Sequence, residues 1–525
     1  MSAGATLTND QVFVAGRGQV ASFPRRRLLA LRIVGVGIVG LGAVYLGWRM
    51  SAGTGTSSIS FALWVAELIA YLSIVLTVVT MWQRRVREGP PRPPRGTLDV
   101  FVPVCGEPAG MVKETVSAAL AIAYPHQVWL LNDGCRADKT GWHEIDDVAR
   151  ALNVRCLTRT EGSRGKAGNL NNGLRHSSGE FIAVIDADHR AHADFAHELL
   201  GYFDDPSVAL VTTPQLFEVR GEDVLNNLQP FFYGHQQPAK DAANAAFSCG
   251  NGVVYRRSAL EEIGGFSEWN LVEDLHTTYR LHAAGLETVY HPKAVTVGTA
   301  PATAAGLAKQ QLTWAIDSLR ILFFDSPLRK RGLTLRQRVH YLHTTTLYLT
   351  GIAQLVFWVA PFVYLALQVS AVRGSQAGTA YVATAGPYYA SVFLWLAGFV
   401  GVRKTLRTTA QRTFLAPVFV VAALKALCGQ GLQNSVTEKV RVPRFSLLLL
   451  PMIGVAALTA AGLAYTAVIG HRQMAVVVAA AAGMTLIMSG MLTAVTHDDC
   501  LRRRLRVAAV ACTVLAAFVF AIRAF

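Results

Sequence analysis

Charge is what this chain has least of. Charged side chains make up 16% of its 525 residues, against about a quarter in an ordinary soluble protein, so a uniformly solvated globule is excluded. Paired cysteines are missing too. Seven cysteines lie scattered with no C-x-x-C pair, and free thiols are expected rather than a disulfide framework. There is no G-x-x-x-x-G-K-[ST] phosphate loop and no G-x-G-x-x-G following a strand, so any phosphate must be held by a metal ion and isolated basic groups. The net charge of +15 would suit nucleic acid, but the arginines flank hydrophobic segments, and no nucleic-acid partner is expected.

What is abundant is apolar. Hydrophobic residues make up 52% of the chain, with a mean hydropathy of +0.33, and they gather at the two ends. A membrane span needs roughly 20 mostly apolar residues. Seven segments qualify: Leu28–Trp48, Ile59–Trp82, Leu347–Val369, Tyr388–Val402, Phe445–Gly470, Met474–Thr496 and Val507–Ile522. Phe414–Cys428, short and holding Lys425, reads as a helix on the membrane surface, with a crossing as the alternative. Glu67, inside the second span, either faces a channel or belongs to a structural pair. Arginines cluster at Arg25–Arg27, Arg84–Arg87, Arg403–Arg407 and Arg502–Arg504. With seven spans all four clusters fall on one side, which the positive-inside rule makes cytoplasmic. That puts the N-terminus and the large polar centre in the cytoplasm, with the protein a multi-pass component of the plasma membrane. The first apolar segment follows a long tail and lacks a cleavage site, so no signal peptide is expected.

The expected organisation is a cytoplasmic tail over 1–27, two spans over 28–87 and a cytoplasmic domain over 96–320. An interface-helix region over 321–346, two spans over 347–402, an interface helix and loop over 403–444 and three spans over 445–523 complete it. The Pro-rich Glu88–Gly96 is an extended, stiff linker before the domain.

Within the domain, Leu98–Val104, Gln127–Asp133, the VRCLTR stretch, the FIAVID stretch and Val208–Thr213 read as strands. Gly110–Ala123, His143–Leu152 and Gly168–His176 read as helices between them. Alternation of this kind argues for an α/β domain with a mostly parallel sheet, whose ligands bind beyond the carboxyl ends of the strands. Asp133 follows one strand, and Asp186 and Asp188 follow another. Two carboxylates two residues apart can share a hard cation, Mg²⁺ or Mn²⁺; the alternative is one helix cap and one solvated acid. Lys166 sits among glycines in RGKAGNLNNG, as a phosphate contact or as a surface lysine. Asp274 is a base tuned by Glu273, or an N-cap. Trp314 is a sugar platform, or a bilayer anchor.

Taken in order, VPVCGEP, LNDG, GKAGNLN, DAD, TPQ, CGNG, VED and Q-x-x-x-W run from Val102 to Trp314. This order resembles the family 2 processive glycosyltransferases, bacterial cellulose synthase catalytic subunits most of all. The resemblance implies a GT-A domain set between membrane helices. It implies a UDP-sugar donor, UDP-glucose first, a growing β-glycan passed through the bilayer, and room for an accessory export subunit. It assigns Glu107 and Asp133 to the uridine, Lys166 to the diphosphate, and Asp186 and Asp188 to the metal. Asp274, with Glu273 beside it, is the base, and Gln310, Trp314, Cys249 and Gly250 line the acceptor site. Thr437 and Lys439, in Val436–Lys439, close over the nucleotide. Thr313 stands where the family usually has Arg, Asn434 where an aromatic is usual, and Val440, Val272 and Cys105 replace Gly, Thr and Tyr. The chain ends shortly after its last expected span, without a domain of the kind that binds cyclic-di-GMP in relatives, so activation by that nucleotide is not expected. Two other readings stay open: a non-processive transfer to a lipid acceptor, and a transporter or receptor that only senses nucleotide sugar.

Overall fold

The computed structural model describes residues 20, 22–53, 58–162, 165–219, 223, 225–301, 304–367 and 377–429. The three spans expected after Phe445, and the loop with Thr437 and Lys439, lie outside the described residues. Two helices come first, α1 (Arg25–Gly53) and α2 (Ser58–Thr80). The central domain follows as β1 (Leu98–Val104), α3 (Ala109–Leu120), β2 (His126–Asn132), α4 (Trp142–Ala151), β3 (Arg155–Thr158), α5 (Gly165–His176), β4 (Phe181–Val184), β5 (His189–Ala191), α6 (Phe195–Leu199), β6 (Val208–Thr212) and β7 (Leu216–Glu218). It continues through α7 (Gln237–Asp241), β8 (Val253–Arg256), α8 (Arg257–Glu262), α9 (Glu273–Ala283), β9 (Glu287–Tyr290), β10 (Thr296–Thr299) and α10 (Ala304–Phe324). Four more helices close the described chain: α11 (Leu335–Thr346), α12 (Thr350–Leu367), α13 (Ala377–Val400) and α14 (Val402–Leu427).

Seven strands form one sheet in the order β3-β2-β1-β4-β8-β6-β9. All its pairs are parallel except the two that β8 makes with β4 and β6. A small sheet, β5-β10-β7, stands beside it. The apolar runs of β1, β2 and β4 are explained by cover on both faces. Val100, Val102 and Val104 turn toward Val112 and Val116 of α3. Phe101, Trp129 and Leu131 turn the other way, toward Ala167 and Leu170 of α5. Each such buried side chain contributes about 1.5–3 kcal/mol relative to exposure. Gly173 is where α5 presses hardest on the sheet: a Cβ there would lie 2.9 Å from both Leu131 and Phe101.

Among the described residues three helical stretches are long and apolar enough to cross a membrane: Arg25–Ser51, Ser58–Thr80 and Val402–Leu427. The first two match the spans expected at the N-terminal end. The third overlaps the surface helix expected over Phe414–Cys428 and extends it toward the N-terminus. That segment is the second half of a single 26-residue helix, whose first half was hidden by Arg403, Lys404, Arg407 and Arg412. Phe414, Leu415, Val418 and Phe419 of α14 pack against Leu312, Ile316 and Leu319 of α10 and Trp358 of α12. Glu67 also resolves: it accepts from Arg49 Nε at 2.9 Å, with both side chains fully buried, so it is the paired acid and not a lone channel group.

Candidate active site

The parallel strands β1, β2 and β4 end at one edge, and the acids come immediately after. Glu107 follows β1, Asp133 follows β2, and Asp186 and Asp188 follow β4. Because β8 runs antiparallel, the turn before it, Gly250–Gly252, reaches the same edge. Gly250 has a φ of +80°, and a Cβ there would lie 2.9 Å from Asp274 Oδ2 and 3.1 Å from Lys166 Nζ. Only a residue without a side chain lets these groups come so close. Asn251 fastens the turn: it accepts from the Asp186 N–H at 3.0 Å and donates to Thr296 at 2.9 Å.

Every expected site residue except the undescribed Thr437 and Lys439 lines one cavity of about 320 Å³ at this edge. Lys166 is its electrostatic centre. Its ammonium lies 2.6 Å from Asp186, 3.3 Å from Glu273 and 2.6 Å from the Gly250 carbonyl oxygen. The diphosphate contact expected of Lys166 is therefore occupied by acids here, and a phosphate would have to share them. Burial alone would lower this ammonium, but Asp186 and Glu273 outweigh it and the net shift is upward. Asp274 is raised well above the usual carboxylate range, by burial first and by the Glu273 charge second, with Lys166 opposing. Glu273 is raised by burial, again against Lys166. Asp274 Oδ1 accepts from the Leu275 N–H at 2.5 Å, which leaves Oδ2 toward Gly250 and the cavity.

Asp133 is clamped rather than free. Arg136 donates to both of its oxygens at 2.8 and 2.7 Å, and Arg159 Nε donates to Oδ1 at 2.9 Å. Glu107 folds back to accept from the Cys105 N–H at 2.6 Å, and burial raises its carboxyl. For the metal, Asp186, Asp188 and His189 each place one ligand atom within 4.8 Å of the others, a donor set that fits a divalent cation. His189 Nδ1 lies 2.9 Å from Asp188 Oδ1. With its proton on Nδ1 the ring orients Asp188; with Nδ1 bare it is a third ligand for the ion. Sequence reasoning missed His189, although it stands next to Asp188. It also missed Arg136, Arg159 and Asp317, which carry no motif signal.

A second cavity, of about 160 Å³, adjoins the first on the side of the membrane helices. Its wall is drawn from both bodies: Tyr233, Lys240 and Asp317 from the domain, and Tyr348, Arg412 and Phe419 from the helices that follow. Cys249, Val272, Asp274 and Trp314 line both cavities. Lys240, deeply buried and donating to Thr344 at 2.6 Å, is pulled down to about 7 by burial. The five described cysteines, Cys105, Cys135, Cys156, Cys249 and Cys428, are free thiols.

A family model described as glycosyltransferase like family 2 matches residues 93–316, and one described as cellulose synthase matches 261–377. The chain is 32% identical over 335 residues to the UDP-forming cellulose synthase catalytic subunit of Xanthomonas axonopodis pv. citri, covering 59% of this chain and 45% of that protein. It is 33% identical over 350 residues to the counterpart from Pseudomonas fluorescens, covering 61% and 46%. It thus spans less than half the length of these relatives. Among solved structures, the mannosyltransferase PcManGT from Pyrobaculum calidifontis, in complex with GDP-Man and Mn²⁺, shares the fold with a TM-score of 0.51 at 19% identity. That match covers 70% of this chain and 99% of that one. The central domain is thus of the GT-A-like mixed α/β class, flanked by candidate membrane helices. Residues 93–316 thus match glycosyltransferase family 2, and the chain is related to bacterial cellulose synthase catalytic subunits.

Proposed function

We propose that this protein is a membrane-embedded, inverting glycosyltransferase. It transfers hexosyl units from a UDP-sugar, UDP-glucose first, to the growing end of a β-linked glycan and passes the product between its membrane helices. One observation carries the reading: Asp274 and Trp314 line both cavities. A donor at the sheet edge and an acceptor beside the helices would therefore meet at one carboxylate and one indole. The organisation that goes with it is a catalytic domain over 96–320 on the cytoplasmic face of the plasma membrane, with the flanking segments in the bilayer.

In this mechanism Trp314 stacks on the terminal sugar, and Cys249 and Gln310 border it. Asp274 Oδ2 accepts the proton of the acceptor hydroxyl, and the acceptor oxygen forms its bond to the anomeric carbon. The bond from that carbon to the diphosphate breaks, and UDP leaves with the electron pair. One displacement turns an α-linked donor into a β-glycosidic bond. Burial and Glu273 raise the proton affinity of Asp274, which suits a base operating near neutral pH. Lys166 sits where negative charge grows on the diphosphate. A Mg²⁺ or Mn²⁺ ion held by Asp186 and Asp188 would neutralise the same charge. Asp133, fixed by its two arginines, and Glu107 face the uridine.

A non-processive transfer to a lipid acceptor is favoured by one feature, the apolar Phe232, Leu347, Leu415 and Phe419 in the second cavity. Purified full-length protein incubated with radiolabelled UDP-glucose and Mg²⁺ separates the two. A long, ethanol-insoluble product supports polymer synthesis. An organic-extractable product replaces it with lipid glycosylation, and no transfer of label sinks both.

A further inference from the structure

Asp317 stands on α10 one turn beyond Trp314, so both side chains project from the same stretch of helix. It is 4% exposed and lines the second cavity. No residue in the motifs that carry the family resemblance points to it, and no cation lies within ion-pair distance of it among the described residues. Its carboxylate faces backbone donors: Oδ2 accepts from the Val272 N–H at 2.6 Å, and the Leu271 N–H also favours its charge. Its backbone carbonyl accepts from Asn270 Nδ2 at 3.0 Å, and Asn270 is itself 5% exposed.

What these contacts hold is the approach to α9. Val272 is the residue at the helix N-cap position, and it has no side-chain cap hydrogen bond of its own. A valine offers no oxygen to satisfy the free N–H groups of a first turn, so the direction in which α9 starts is set by whatever grips the preceding backbone. The Asp317 side chain grips that backbone at the Val272 N–H, while its main-chain carbonyl holds the Asn270 side chain. The next two residues are Glu273 and Asp274, which meet Lys166 and the Gly250 turn.

We propose that Asp317 is a positioning residue that ties the aromatic platform of α10 to the start of α9, and so sets Asp274 against an acceptor resting on Trp314. The inference rests on the glycosyltransferase reading above and adds to it a coupling between acceptor platform and base. A buried carboxylate is expensive unless it is hydrogen-bonded; burial pushes Asp317 up to about 7, against the Val272 N–H. The carboxylate lies between that backbone N–H and the second cavity. The contact needs an oxygen acceptor and not a charge, so asparagine can replace aspartate through Oδ1 while alanine cannot.

The test uses the full-length protein in detergent, with Asp317→Asn and Asp317→Ala read side by side. UDP release from UDP-glucose gives kcat and KM, and calorimetric UDP binding gives the fraction of intact donor sites. For Asp317→Ala the expected result is a fall in kcat of about tenfold or more per intact donor site, with donor KM and UDP affinity within about threefold of the parent. Asp317→Asn should recover most of that kcat. A purely structural role would lower the number of binding-competent molecules and leave kcat per site unchanged. That result overturns the proposal, and so does an asparagine variant as slow as the alanine one. Absence of any UDP release in the unmodified protein would instead overturn the glycosyltransferase reading, and this one with it.

Discussion

Asp274→Asn is the most searching single substitution. The side chain keeps its shape, and Oδ1 can still accept from the Leu275 N–H, 2.5 Å away in the parent. What is lost is the basic oxygen facing Gly250, where a Cβ would come within 2.9 Å of Oδ2. A positioned general base is worth about 10²–10⁴ in rate, or about 2.7–5.4 kcal/mol at 1.36 kcal/mol per decade. Burial and the Glu273 charge make Asp274 a stronger base than an exposed carboxylate, so the loss should fall toward the upper half, about 10³-fold or more. UDP binding should be nearly untouched, because the close ion pairs of Lys166 are with Asp186 and Glu273. The pH profile supplies an independent check. Asp274 accepts a proton only when ionised, and its pKa is raised. Activity is therefore present above that pKa and lost as pH falls through it, at a pH higher than an ordinary carboxylate would give. Single-turnover transfer from UDP-glucose, measured across pH alongside calorimetric UDP binding, reads both effects. A variant that keeps kcat within about threefold of the parent, or whose residual activity retains the parent acidic limb, would refute the assignment of Asp274 as the base.

Other outcomes follow from the same geometry. Asp188→Ala should lose activity and its response to Mg²⁺ or Mn²⁺ together, as metal titrations of UDP release would report; metal-stimulated synthesis persisting in that variant removes Asp188 from the site. Trp314→Ala should forfeit about 0.5–1.5 kcal/mol of aromatic contact, roughly a 2–10-fold weaker hold on the acceptor. It should shorten the product while sparing UDP affinity; chains of unchanged length would argue against a platform role. Glu67→Ala leaves Arg49 buried without its carboxylate and should destabilise the helix pair by about 3–5 kcal/mol. Thermal unfolding in detergent checks this, and an unshifted midpoint would mean the pair contributes little.

The strands that build the site were legible because their signal is local. Leu98–Val104 reads as a strand from seven consecutive residues, and all seven are buried. Acids after the apolar runs of β2 and β4 pointed to the candidate site's edge, since parallel strands must release their next residues at one end of the sheet. The glycines around Lys166 and before β8 were equally visible, and Gly250 shows why one of them is needed. The extent of helix α14 was underestimated, because its polar first half masked a continuous 26-residue element that packs against α10 and α12.

What the amino-acid order indicated alone was which residues are candidates for the chemistry, which segments are apolar enough for a bilayer, and the resemblance to family 2 glycosyltransferases. Tertiary structure decided the rest: that β8 enters antiparallel, that two arginines clamp Asp133, that Arg49 answers Glu67, and that Asp317 holds Val272. Apart from Arg136, three residues from Asp133, these join residues whose separation along the chain leaves no periodic trace, and the distances between them exist only once the sheet and its helices have packed. Patterning along a strand or helix is written every two to four residues, whereas the proton affinity of Asp274 depends on how much protein surrounds it and on which charges stand beside it.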